Sequence, residues 1–114
     1  MPAVASLHVG ELSSDPLEAA AAFYAHVVPG IRDDFRELND LVLVVVFEPA
    51  GHEHRAWQLA AIQELARAAA PGRVNGLVGS DEDVIRKAID YLWEAPGVTG
   101  QLLTLDGESA GAVL

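Results

Sequence analysis

The chain has 114 residues, is 51% hydrophobic and contains no cysteine, so it supports one compact domain over 1–114 and excludes disulfides, thiolate metal sites and cysteine nucleophiles. Seventeen acidic against seven basic residues give a formal charge of -10, which repels phosphate backbones and anionic membrane surfaces and excludes nucleic acid and membrane as partners. The N-terminal residues lack a basic, continuously apolar leader and the longest apolar run, LVLVVVF, is too short to span a bilayer; a soluble, cytoplasmic protein is expected.

In chain order, ASLHVG is a short apolar piece suited to a strand, followed by SSDP, where Ser14 or Asp15 caps a helix that starts at Pro16. This helix is expected to carry Leu17, Ala20, Ala21, Tyr24, Val27, Val28 and Ile31 on one face and to run to about Leu38, with a kink at Pro29–Gly30. Leu41 to Phe47 is a continuous apolar, mostly β-branched run without polar alternation, the pattern of a strand covered on both faces in a parallel sheet. GHEH then leads into RAWQLAAIQELARAAAPG, a helix of good formers closed by Pro71 and Gly72. RVNGLVG is a short strand. SDEDVIRKAIDYLWEAPG is a helix capped by Ser80 or Asp81, with acids in its first turn and Val84, Ile85, Ala88, Ile89 and Leu92 as its buried stripe. TGQLLTLDG is the last strand, and DGE at 106–108 is a turn. Strands alternating with helices at these lengths predict right-handed crossovers and a parallel sheet with helices on both sides.

The second half of the chain resembles the short-chain dehydrogenase/reductase family. LAAIQELARAAAPGRVNGLVG is similar to that family's long catalytic helix and the strand after it, which often reads close to IRVN. VIRKAIDYLWEAPGVTGQLLTLDGE is similar to the final helix and strand, where a TGQ turn precedes an apolar strand ending in VDGG. VVPGIRDDFRELNDLVLVVVFEPAG resembles the preceding helix and the strand that delivers the catalytic serine. The resemblance covers about Val27 to Glu108 and implies an α/β, truncated Rossmann-like three-layer fold of about four parallel strands with about three helices.

The same resemblance implies what is missing. No Gly-rich dinucleotide turn occurs anywhere in the chain, so no cofactor is expected. The family's serine falls at Glu48, and its tyrosine and lysine fall at Arg55 and Leu59; no tyrosine or lysine lies between Val27 and Val78 to replace them. Arginine cannot serve as a proton donor at neutral pH, and leucine cannot hold a ribose or tune a neighbour. Val78 stands where the family has proline, and the long insertion that forms its substrate lid is absent.

Isolated features have structural explanations. His52 and His54, with His8 and His26 elsewhere, show no ligand spacing beyond one i, i+2 pair, so the segment reads as a polar start to a helix whose positive end Glu53 can serve. Ser13, Ser14 and Asp15 read as helix caps. Asp33, Asp34, Glu37 and Asp40, and Asp81, Glu82 and Asp83, read as a solvated face and a helix first turn. Lys87 is the only lysine and alanine is abundant, a composition of the kind GC-rich bacterial genomes encode.

The leading expectation is a non-catalytic, reductase-like subunit that assembles with a full-length reductase of the same family, with itself, or with both. The interface candidates are Tyr24, Val28, Trp57, Ala61, Leu65, Trp93 and Leu103, on the helices and strand through which the resembling family oligomerises; the Ala-rich helix also suits close helix approach. One alternative is a homodimer that binds a small ligand in a remnant cleft near Glu48, His52, His54 and Arg55. Another is a small enzyme that uses Glu48 as acid or base.

Overall fold

A computed structural model describes residues 3–105. Four strands, β1 (Val4–His8), β2 (Val42–Phe47), β3 (Arg73–Val78) and β4 (Leu102–Thr104), form one all-parallel sheet in the order β1-β2-β3-β4. Helices α1 (Pro16–Ala22) and α2 (Val28–Glu37) run end to end through a π-helical turn at Phe23–Val27 and connect β1 to β2. Helix α3 (Arg55–Ala69) connects β2 to β3 after a 3-10 turn at His52–His54, and α4 (Glu82–Trp93) connects β3 to β4. Counting α1 and α2 as one bent rod, this is the expected small Rossmann-like fold of four parallel strands and three helices.

Each element follows from local chemistry. Asp15, not Ser14, caps α1, its carboxylate accepting from Glu18 N at 2.9 Å, and Pro16 takes the first turn, where a missing N–H costs nothing. Asp81, not Ser80, caps α4 by accepting from Asp83 N and Val84 N. Every residue of β2 is buried, as an apolar run without polar alternation requires. Its Leu43, Val45 and Phe47 face α1, α2 and α3, while Val44 and Val46 face α4, so one strand supplies both core layers.

The expected buried face of the first helix is corrected. Leu17 is 83% exposed, and Ala21 and Tyr24 are also exposed, whereas Ala19, Phe23 and Ile31 are buried, with Val27 half-buried between the last two. The observed stripe advances four residues per turn, wider than an α-helix can hold in register. The wider π turn at Phe23–Val27 absorbs that excess. The same turn accommodates Pro29, which lies in the first turn of α2, where no helical N–H is demanded of it.

The expected uniform handedness is also corrected. The α1–α2 and α3 crossovers cover one face of the sheet and α4 covers the other, yet the strand order advances in a single direction. Equal steps with helices on opposite faces require opposite hands. With the first two right-handed, as strand twist strongly favours, the β3–α4–β4 crossover is left-handed.

The last strand is shorter than TGQLLTLDG suggests. Thr99 to Gln101 form a turn docked on β3, pairing begins at Leu102, and the predicted DGE turn lies outside the described residues. In α4, Ile85, Ile89 and Leu92 are buried as expected, with Val84 and Ala88 only half-buried at the margins.

Gly76 in β3 lets α3 lie close to the sheet. A Cβ there would stand 2.8 Å from Ile62 Cγ1 and 2.9 Å from Leu102 Cδ1. Gly76→Ala is therefore expected to destabilise the fold by about 1 to 2 kcal/mol through overpacking, measurable as a lower urea midpoint at unchanged m-value.

Candidate functional site

The C-terminal ends of β1 and β2 open into a cavity of about 460 Å³, bounded by the β1–α1 loop, the β2–α3 loop and the start of α3. A second cavity of about 370 Å³ lies between the ends of β1, β2 and β3 and the start of α4. Glu48, the first residue after β2, lines both. It is exposed and makes no hydrogen bond to a described residue.

The four residues expected to form a cleft here divide. Glu48 and His54 line the larger cavity; His52 and Arg55 do not. Arg55 Nη1 instead donates to Thr104 Oγ1 at 2.9 Å, tying the start of α3 to the end of β4. His54 is 3% exposed and its two ring nitrogens are engaged: Trp57 Nε1 lies 3.1 Å from Nδ1, and Ser14 O lies 3.1 Å from Nε2. An indole N–H can only donate and a carbonyl can only accept, so these partners assign the neutral tautomer with the proton on Nε2. His54 therefore joins the loop before α1 to α3.

Sequence reasoning missed the wall of this cavity. Phe47, Trp57 and Gln58 line it; the two rings form an aromatic cluster with Phe23 behind them, with ring centroids 5.3 to 5.7 Å apart, and Gln58 is 5% exposed. Gln58 lies within an Ala-rich helical pattern, where only the docking of α3 on β2 decides that it faces inward.

The interface candidates also divide. Ala61 and Leu65 belong to the core, at 0% and 4% exposure, because the stripe that α3 presents to the sheet passes through them; this corrects their placement on an assembly surface. Trp57 is half-buried in the aromatic cluster, and Trp93, also half-buried, packs on the α4 layer while its indole donates to Ala5 O in β1 at 3.2 Å. Val28 and Leu103 are half-buried. Tyr24 is 41% exposed, and among the alanines of α3 and its C-cap, Ala60, Ala68 and Ala70 face outward.

Partial burial of Tyr24, and then the negative charge of Glu64, raise its phenol above the usual 10.0. The folded state thus holds this proton more tightly than the unfolded chain, so its contribution is complete below about pH 10 and is lost as pH rises through the folded value. In a 295 nm titration of Tyr91→Phe protein, which leaves Tyr24 as the only tyrosine, Glu64→Gln is expected to move the phenolate midpoint downward; an unmoved midpoint would rule Glu64 out as a cause.

Two of the positions that the resemblance pairs with catalytic residues serve the fold. Leu59 packs against the core and Arg55 is committed to Thr104. The retained sequence signatures also hold the fold. Arg73 extends its guanidinium to four carbonyls around the C-terminus of α4: Leu92 O at 3.0 Å, Ala95 O at 2.7 Å, Val98 O at 3.1 Å and Trp93 O at 3.0 Å. Asn75, 0% exposed, donates to Val98 O at 2.9 Å and accepts from Gln101 N at 3.0 Å. Thr99 Oγ1 accepts from Val74 N, and Gly100, at φ +73°, donates its N–H to Val74 O at 2.7 Å. RVN and TGQ are thus the two sides of one joint.

A family model described as SDR-like, short chain dehydrogenase-like protein, matches residues 7–105. No curated protein and no solved structure matches the chain. Among the described residues, no helix is long and apolar enough to cross a membrane.

Proposed function

The chain belongs to the short chain dehydrogenase-like family, and from that premise we propose that it is a non-catalytic subunit that assembles with a full-length reductase of the same family and stabilises or regulates it. Glu48, Arg55 and Leu59 at the catalytic positions support the first part: none can replace the serine, tyrosine or lysine whose place it holds.

The observation that carries assembly is the free edge of β1. Val42 N donates to Ala3 O and Val9 N donates to Val46 O, both at 2.8 Å, so residues 3, 5, 7 and 9 direct their backbone groups to β2. Val4, Ser6 and His8 direct theirs outward, and no described strand pairs with them. Val4 is 47% exposed beside this edge. A parallel edge of this kind favours pairing with another chain.

Co-expression with a full-length reductase of the family from the same genome is expected to give one co-eluting species on size exclusion, with altered reductase activity or stability. Two separate peaks with unchanged activity would sink the reading. Ser6→Pro adds a test of the edge itself. The Ser6 N–H points away from β2, so proline removes no internal bond, and the variant is expected to keep its fold while losing co-elution.

A further inference from the structure

We propose that the cavity at the ends of β1 and β2 is a binding site for a small organic cation that also carries a neutral hydrogen-bonding group. Gln58 is 5% exposed and lines this cavity, and its amide has no hydrogen-bond partner among the described residues. No buried side-chain polar atom of the described residues is both sealed from solvent and without a partner, so the Gln58 amide still reaches solvent, and the cavity it lines is the route. An amide that only cavity water can satisfy is open to a ligand hydroxyl, carbonyl or amide that takes the water's place.

The charge of the ligand follows from the mouth. Glu11, Glu48 and Glu53 line it, no arginine or lysine does, and the ion pairs of the described residues, Arg36–Asp33 and Arg86–Asp83, lie elsewhere. Gly51 leaves the space that the Glu53 carboxylate occupies, since a Cβ at that position would overlap it. Three carboxylates without a cationic partner repel anions and attract a cation. Phe47 and Trp57 supply the apolar wall between mouth and amide, and the volume falls within the range of small-molecule sites. The ligand places its cation among the carboxylates, its apolar body on the two rings and its neutral polar group on Gln58. This site is independent of the β1 edge and of assembly.

Tyramine, with an ammonium, an aromatic body and a phenolic hydroxyl, is the probe, used on the full chain and followed by the Trp57 indole signal in NMR titration. It is expected to bind about tenfold more tightly than phenethylamine, which lacks the hydroxyl, or tyrosol, which lacks the charge, with 4-hydroxyphenylacetate weakest. Gln58→Met removes no protein hydrogen bond, so it is expected to keep or raise the melting temperature while reducing the tyramine preference over phenethylamine to near unity. Glu48→Gln with Glu53→Gln is expected to erase the preference for tyramine over tyrosol. No saturable tyramine binding at millimolar concentration, equal binding of cation and anion, or a hydroxyl preference that survives Gln58→Met in a folded variant would each overturn the proposal.

Discussion

Arg73→Met is expected to lower the unfolding free energy by about 3 kcal/mol, a large share of what a domain of this size possesses. Of the four carbonyls that Arg73 binds, Leu92 and Trp93 close the last turn of α4, where helix carbonyls lose their i+4 partners, and Ala95 and Val98 lie in the segment that follows. Each charge-assisted bond contributes about 1.5 to 3 kcal/mol in isolation. One guanidinium shared by four acceptors, and half-buried at that, contributes less than the sum. Methionine keeps much of the side-chain volume, so the loss is of the bonds and of the positive charge at the negative end of α4. The melting temperature is expected to fall by roughly 12 °C or more. Hydrogen exchange should accelerate first in the last turn of α4 and in residues 94–98. Arg73→Lys is expected to recover only part of the loss, because a single ammonium cannot span the fork that a planar guanidinium covers. A methionine variant within 1 °C of the parent would contradict this account.

Asn75→Leu is expected to cost about 3 kcal/mol by a different route. Asn75 is fully buried, and its side chain is the bond that the Gln101 N–H makes to β3. Leucine restores volume but leaves that donor without its partner in an apolar layer, at the desolvation cost of an unmade hydrogen bond. Val98 O retains Arg73 when Asn75 is gone. The damage should therefore concentrate on β4, which pairs with β3 through only Leu102, Leu103 and Thr104. Combining Arg73→Met with Asn75→Leu is expected to cost more than the two separately, since each single variant leaves Val98 O one donor and only the double leaves it none. Strict additivity in the double-mutant cycle would show that the joint is not shared.

These effects give the RVN and TGQ motifs a structural role of their own. RVN and TGQ hold α4 on its face of the sheet and dock the turn before β4 on the backbone of β3. That role is independent of which residues stand at positions 48, 55 and 59. The order of the elements was legible because folding chemistry leaves long, patterned traces: a β-branched run at β2, Pro16 after Asp15, acids opening α4, Gly72 closing α3.

Composition, period and capping residues determined the order of the elements, the parallel pairing of the sheet and the burial of β2 on both faces, because those signals are local and act over one or two turns of chain. The phase of the first helix was beyond them, since a four-residue stripe needs the π turn at Phe23–Val27, whose Phe23 packs against Phe47 and Trp57 from distant elements. So was the hand of the third crossover. The assignment of Ala61 and Leu65 to the core rather than a surface was decided by which face of an Ala-rich helix met Gly76. Gln58 points the same way: a polar residue in a helix reads as exposed until the packing of α3 on β2 turns it into the wall of a cavity. What a residue does depends on its neighbours in space, and only the tertiary structure supplies those.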